Sequence, residues 1–152
     1  MAEEITPFKI VAFDPGVTTG YATGVIDDGK LGAVSGQGDW NESLLYMQLQ
    51  MMKPHIIVYE RFDYRRGQDR AELFSRNLIG VINLYVQQEK LECYTQMPGQ
   101  VIGQYYTDKV LKESRMYKVG KPHANDAMRH LLHWFTFGAG FKYNTNGFEP
   151  LA

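Results

Sequence analysis

Apolar residues in this chain change their spacing several times, and each change marks an element. Phe8 to Phe13 is apolar apart from Lys9 and rich in strand-forming residues, and it ends on Asp14-Pro15-Gly16, which turns the chain at once. Thr19 to Ile26 is a second extended run, closed by the hairpin signal Asp27-Asp28-Gly29-Lys30. Leu31 to Gln37 returns as a third strand, weakened by its glycines and therefore expected at an edge. The spacing then switches to threes and fours. Leu44, Leu45, Met47, Leu49 and Met52 predict a helix from Glu42 to about Met52, with Asn41 as N-cap and Pro54 as its stop. His55 to Glu60 reads as a fully buried strand, again ending in a carboxylate. After a polar loop from Arg61 to Arg70, the stripe Leu73, Phe74, Leu78, Ile79, Ile82, Tyr85 and Val86 predicts a long helix from Ala71 to about Gln88. Leu91 to Met97 suits a fifth strand, and Pro98 can open a short helix through Tyr106. A last helix begins at Pro122 or Asn125 and runs to about Phe137, and the Gly- and Asn-rich tail from about 138 is expected to be loose.

Three strands joined by hairpin turns, followed by helix, strand, helix, strand and helix, predict one mixed α/β domain over residues 1–152. Its five-stranded sheet would be antiparallel in the first part, parallel in the second, and flanked by helices. If the strands ending in Asp14 and Glu60 lie side by side and parallel, both acids emerge at one carboxyl edge, where such sheets keep their sites. A carboxylate at the mouth of a buried strand requires a partner or a cation. The alternative for Asp14 is a turn acid that only shapes the chain reversal.

Composition narrows this picture. The chain has 152 residues and is 44% hydrophobic, enough for a core. Its single cysteine, Cys93, excludes an internal disulfide framework, and no run of 18 or more apolar residues occurs. A soluble cytoplasmic protein with no membrane partner is the expectation. The net charge of −1 argues against indiscriminate coating of nucleic acid, but the charge is uneven. Ten of the sixteen Lys and Arg residues fall in two segments: Arg61, Arg65, Arg66, Arg70 and Arg76, then Lys109, Lys112, Arg115, Lys118 and Lys121. Both segments are net positive, and each is either a solvated face or a DNA contact.

The last predicted helix carries His123-Ala-Asn-Asp126-Ala-Met-Arg-His130. Positions 123, 126 and 130 share a helix face; if Asn125 is the N-cap, His123 lies just before the helix and still converges. His130 and His133 are read as packed or surface imidazoles. Three carboxylates and an imidazole at a sheet edge are either neutralised by Arg61 and Arg129 or hold metal. Oxygen donors without thiolate favour Mg²⁺ or Mn²⁺ over zinc, and an ion pair roughly 4 Å apart suits a phosphodiester substrate.

These three segments, Ile-Val-Ala-Phe-Asp14-Pro-Gly-Val-Thr-Thr-Gly-Tyr, Ile-Ile-Val-Tyr-Glu60-Arg-Phe and His123-Ala-Asn-Asp126-Ala, resemble in order and separation the RuvC family of Holliday-junction resolvases. The resemblance covers about residues 8 to 137. It implies a ribonuclease-H-like fold and a homodimer that nicks four-way DNA with two Mg²⁺ ions per site, Mn²⁺ substituting, and no small-molecule cofactor. It maps Asp14, Glu60, His123 and Asp126 onto the family's metal ligands, and an aromatic wedge onto Phe62 or Tyr64. The segment from Pro98 to Pro122 is more compact than in cellular members, which suggests a bacteriophage relative acting on several branched DNA shapes. The weighed alternatives are an RNA-processing nuclease resembling the YqgF group and a non-catalytic branched-DNA-binding protein.

Overall fold

The computed structural model describes residues 8–27, 30–61, 70–98, 105–138 and 148–151. Its elements are β1 (Phe8–Asp14), β2 (Thr19–Asp27), β3 (Lys30–Gly38), α1 (Glu42–Met52), β4 (Ile56–Glu60), α2 (Arg70–Glu89) and β5 (Glu92–Gln96). They are followed by α3 (Asp108–Glu113), α4 (Pro122–His133), a π-helical turn (Trp134–Gly138) and β6 (Phe148–Pro150). The sheet order is β5-β4-β1-β2-β3-β6. β1, β2 and β3 pair antiparallel, whereas β4 runs parallel to β1 and β5 parallel to β4.

The mixed α/β expectation holds, with one strand more than the five the sequence suggested. β6 lies in the tail expected to be loose and pairs in parallel with Leu31 to Ala33, so β3 is an edge strand only beyond that point. A three-residue strand carries too little periodicity to be recognised in sequence. Asp27 and Lys30 pair across the predicted hairpin, while its turn residues 28–29, and most of the short helix expected from Pro98, lie outside the described residues.

Strand alternation builds two cores, one on each face of the sheet. Ile10, Ala12, Ile56 and Val58 face α4 and meet Met128, Leu131, Leu132 and Trp134. Val11, Phe13, Ile57 and Tyr59 face the other way, against Leu45 and Leu49 of α1 and Leu78 and Ile82 of α2. Strands buried on both faces explain why β1 and β4 are continuous apolar runs. The same alternation carries Asp14 and Glu60 onto the α4 face, because both are in phase with Ile10 and Ile56.

Helix α4 lies close to β2 because β2 offers it small residues. A Cβ on Gly20 would stand 1.9 Å from the carbonyl oxygen of His123, and one on Gly24 would meet a Leu131 methyl at 3.2 Å. Gly20 is the register partner of Asp14. Absence of a side chain there therefore lets the start of α4 close onto the strand end that carries the acid. Lys121 provides no side-chain cap for α4; Gln37 of β3 accepts instead from the amides of His123 (3.1 Å) and Ala124 (3.3 Å).

Candidate active site at the carboxyl edge of the sheet

Asp14 ends β1 and Glu60 ends β4, on adjacent parallel strands. The turn after Asp14 is fixed by buried Thr19, whose hydroxyl donates to the Gly16 carbonyl oxygen at 3.1 Å. Both acids line a cleft of about 390 Å³ together with Gly16, Arg61, Ser75 and His123. Asp14 and Glu60 are mostly covered, with side chains 15% and 19% exposed.

Helix α4 meets each acid with a basic side chain. His123 Nδ1 is 3.1 Å from Asp14 Oδ2. Arg129 donates from Nη1 to Asp126 Oδ1 at 2.6 Å, from Nε to the Tyr106 carbonyl at 2.8 Å, and from Nη2 to Asp108. His130 Nε2 is 2.9 Å from Glu60 Oε2, and its Nδ1 is 2.8 Å from Gln96 Oε1. The helical spacing thus does bring positions 123, 126 and 130 to one place, although Asp126 does not line the cleft itself.

The electrostatics show an incompletely neutralised cluster. Burial first, then the negative charges of Glu60 and Asp126 and a hydrogen bond with Glu60, push the Asp14 carboxyl up to about 8. Burial also raises Asp126, with Arg129 opposing the shift. Two explanations were open from sequence: neutralisation by Arg61 and Arg129, or cation binding. Arg129 does neutralise Asp126, whereas Arg61 has no ion pair among the described residues. Cys93 is half-buried, and burial pushes its thiol up to about 11, away from thiolate chemistry.

Among the described residues, no group of three or more His, Cys, Asp or Glu side chains is arranged to hold an ion. Mg²⁺ does not require one, since it keeps several waters and takes one or two carboxylates beside substrate phosphate. Two covered carboxylates side by side in an open cleft, one of them held in its proton-binding range by burial and by like charge, match that donor set.

The basic residues divide. Arg61 is exposed at the cleft. Lys109 pairs with Glu113 at 4.0 Å on the surface of α3, and Lys112 lies 4.7 Å from the Tyr117 ring centroid. Lys118 is half-buried and its ammonium donates to the Ser35 carbonyl, so it is occupied within the fold. Arg115 has a positive φ of 61° and Lys121 is exposed just before α4. Phe62, Tyr64, Arg65 and Arg66 lie outside the described residues, and Arg70 is the first residue of α2. His130 is a packed imidazole, fully buried, as one of the two sequence readings had it; what reasoning from sequence missed is its contact with Glu60. Its spacing from Asp126 was the available signal, but Gln96 as second partner depends on strand pairing.

A mixed sheet whose first three strands are antiparallel and whose remaining core strands are parallel, with helices on both faces and acids ending its first and fourth strands, is the ribonuclease-H-like arrangement. Within that class, the solved structures it is similar to include Holliday-junction resolvases. RuvC of T. thermophilus in complex with a Holliday junction substrate aligns with a TM-score of 0.63 at 18% identity, covering 88% of this chain and 97% of that one. The fowlpox virus Holliday junction resolvase gives 0.60 at 15% identity, covering 85% and 99%. The yeast mitochondrial resolvase Ydc2 gives 0.56 at 13%, covering 90% and 81%. No family model matches the chain, and no curated protein matches it in sequence. At these identities the likeness establishes the RuvC-like resolvase fold. Among the described residues no helix is long and apolar enough to cross a membrane.

Proposed function

We propose that this protein is a metal-dependent, structure-selective endonuclease that nicks Holliday junctions and other branched DNA by hydrolysing phosphodiesters. The observation that carries this reading is the Asp14–Glu60 pair, set side by side at the carboxyl edge of a RuvC-like sheet and open to a cleft. The similar T. thermophilus RuvC is bound to a Holliday junction substrate, which supports branched DNA over RNA.

Asp14 and Glu60 at the cleft with His123 beside them, and Asp126 through the oxygen that Arg129 leaves free, would hold two Mg²⁺ ions, with Mn²⁺ as a substitute; when bound, such ions supply Lewis-acid activation of the attacking water and the leaving oxygen. The chain's own residues prepare for this. Burial, reinforced by the like charges of Glu60 and Asp126, keeps Asp14 ready to exchange its proton for a cation near neutral pH. His123, nearly half exposed beside Asp14, holds that carboxylate by its Nδ1 and is placed to carry a proton at the cleft. Arg61 offers a positive charge to a phosphate entering the cleft, and Lys109, Lys112, Arg115, Lys121 and the 62–70 segment are the further DNA contacts of this reading. Two such sites in a homodimer would cut a four-way junction in paired incisions.

The deciding experiment incubates the protein with labelled four-way, three-way and duplex DNA and with matched RNA, with and without Mg²⁺. Magnesium-dependent nicks confined to branched DNA are expected, and paired nicks together with a dimeric mass in sedimentation support the two-site arrangement. Cleavage of RNA alone, or of nothing, overturns the proposal.

A further inference from the structure

Glu60 is held from behind by a chain of side chains that the function above does not require. Gln96 ends β5 as the direct register partner of Glu60 on β4, and the two strand ends are tied by a 2.7 Å hydrogen bond from the Arg61 amide to the Gln96 carbonyl. Register partners on neighbouring strands send their side chains to the same face, here the face covered by α4. His130 descends between them with no exposed surface, Nδ1 on Gln96 and Nε2 on Glu60. Gln96 Oε1 accepts from Nδ1–H, so Nε2 donates to Glu60 when the ring is a cation and accepts from Glu60 when the ring is neutral and the carboxyl carries the proton; a neutral ring also donates from Nε2 if the Gln96 amide turns to donate to Nδ1. A side chain that only filled the core at this position would need no polar atoms.

We infer that His130, buttressed by Gln96, is a positioning residue that occupies one oxygen of Glu60 and so confines Glu60 to ligation through the other. This inference rests on Glu60 being a metal ligand, as proposed above. Its chemical consequence is ion selectivity. Mg²⁺ demands near-ideal octahedral geometry and suits a carboxylate fixed by a single oxygen, whereas Ca²⁺ accepts two-oxygen carboxylate ligation and irregular geometry. Hydrogen-bonding partners behind a ligand typically contribute 10–100-fold in metal affinity.

The test uses the full chain, stripped of metal and titrated separately with Mg²⁺ and Ca²⁺ by calorimetry and thermal shift. In His130→Asn the amide stays near Gln96 and is too short to reach Glu60; in His130→Gln the amide nitrogen reaches about where Nε2 stands. Mg²⁺ affinity should fall roughly 10–100-fold in His130→Asn, Ca²⁺ affinity should fall less, and His130→Gln should restore most of the preference. Gln96→Met should shift selectivity in the same sense but less, and it decides the matter if circular dichroism shows that His130→Asn does not fold. Equal losses for both ions, or none, overturn the inference while leaving the metal reading intact. A wild-type protein that binds neither ion overturns both.

Discussion

The two ends of the acid cluster are built on opposite principles. At the Asp126 end, Arg129, with its side chain only 9% exposed, joins Asp126, Asp108 and the Tyr106 carbonyl, so the negative charge is answered by a fixed cation. At the Asp14–Glu60 end the partners are two histidines and the acids' own repulsion, and the carboxylates open to a cleft. A charge held by a guanidinium ties elements together. A charge left to repel its neighbour near solvent is unfavourable for stability and is retained where a cation or substrate is to be bound. The first end joins α4 to the start of α3, and the second faces whatever enters the cleft.

Substitution at the two ends should therefore act with opposite signs on stability. Asp14→Asn is expected to abolish cleavage while leaving junction binding intact or tighter, since a negative charge near the phosphate is removed; electrophoretic mobility shift with parallel cleavage assays measures both. The same variant should melt higher than wild type without metal. A lower melting temperature would place Asp14 among the stabilising contacts. Arg129→Met strands a covered carboxylate and should lower stability by about 3 kcal/mol, a Tm drop of about 10 °C. A Tm within a degree or two of wild type would make the clamp an incidental contact.

Gly20→Ala probes the seam between the two ends. Its Cβ would collide with the His123 carbonyl, so the start of α4 must move off β2. A loss of about 1–3 kcal/mol is expected, with a disproportionate loss of nicking because His123 leaves Asp14. Wild-type activity in a folded variant would show that the helix start is not needed at the strand end.

The smallest effect is the pH dependence. The Asp14 carboxyl binds its proton more tightly in the folded chain than at its ordinary value of 3.8. Its contribution is fully present below that value and is lost as pH rises towards about 8, with Asp126 acting in the same sense. The Tm advantage of metal-free Asp14→Asn over wild type should therefore widen from about pH 5 to about pH 8, and added Mg²⁺ should shrink it by binding the wild-type carboxylates. A pH-independent difference would show that repulsion at Asp14 does not govern stability.

The order of elements was legible in sequence because each is specified locally. Continuous apolar runs mark strands buried on both faces, three-and-four spacing marks the helices, and Asn41 accepts from the Leu44 amide at 2.9 Å as an N-cap should. The two strand-end acids and the His123–Asp126 segment were legible for the same reason: their positions within their elements are set by period alone. What only the tertiary structure decided is the pairing. That Glu60 shares His130 with Gln96, that Arg129 takes Asp126 while Arg61 stands at the cleft, that Lys118 turns inward to Ser35, and that β6 adds to β3 all depend on which elements become neighbours and in what register. Contacts between residues far apart in the chain are stabilised only once the whole core closes around them, so no local stretch of residues encodes them.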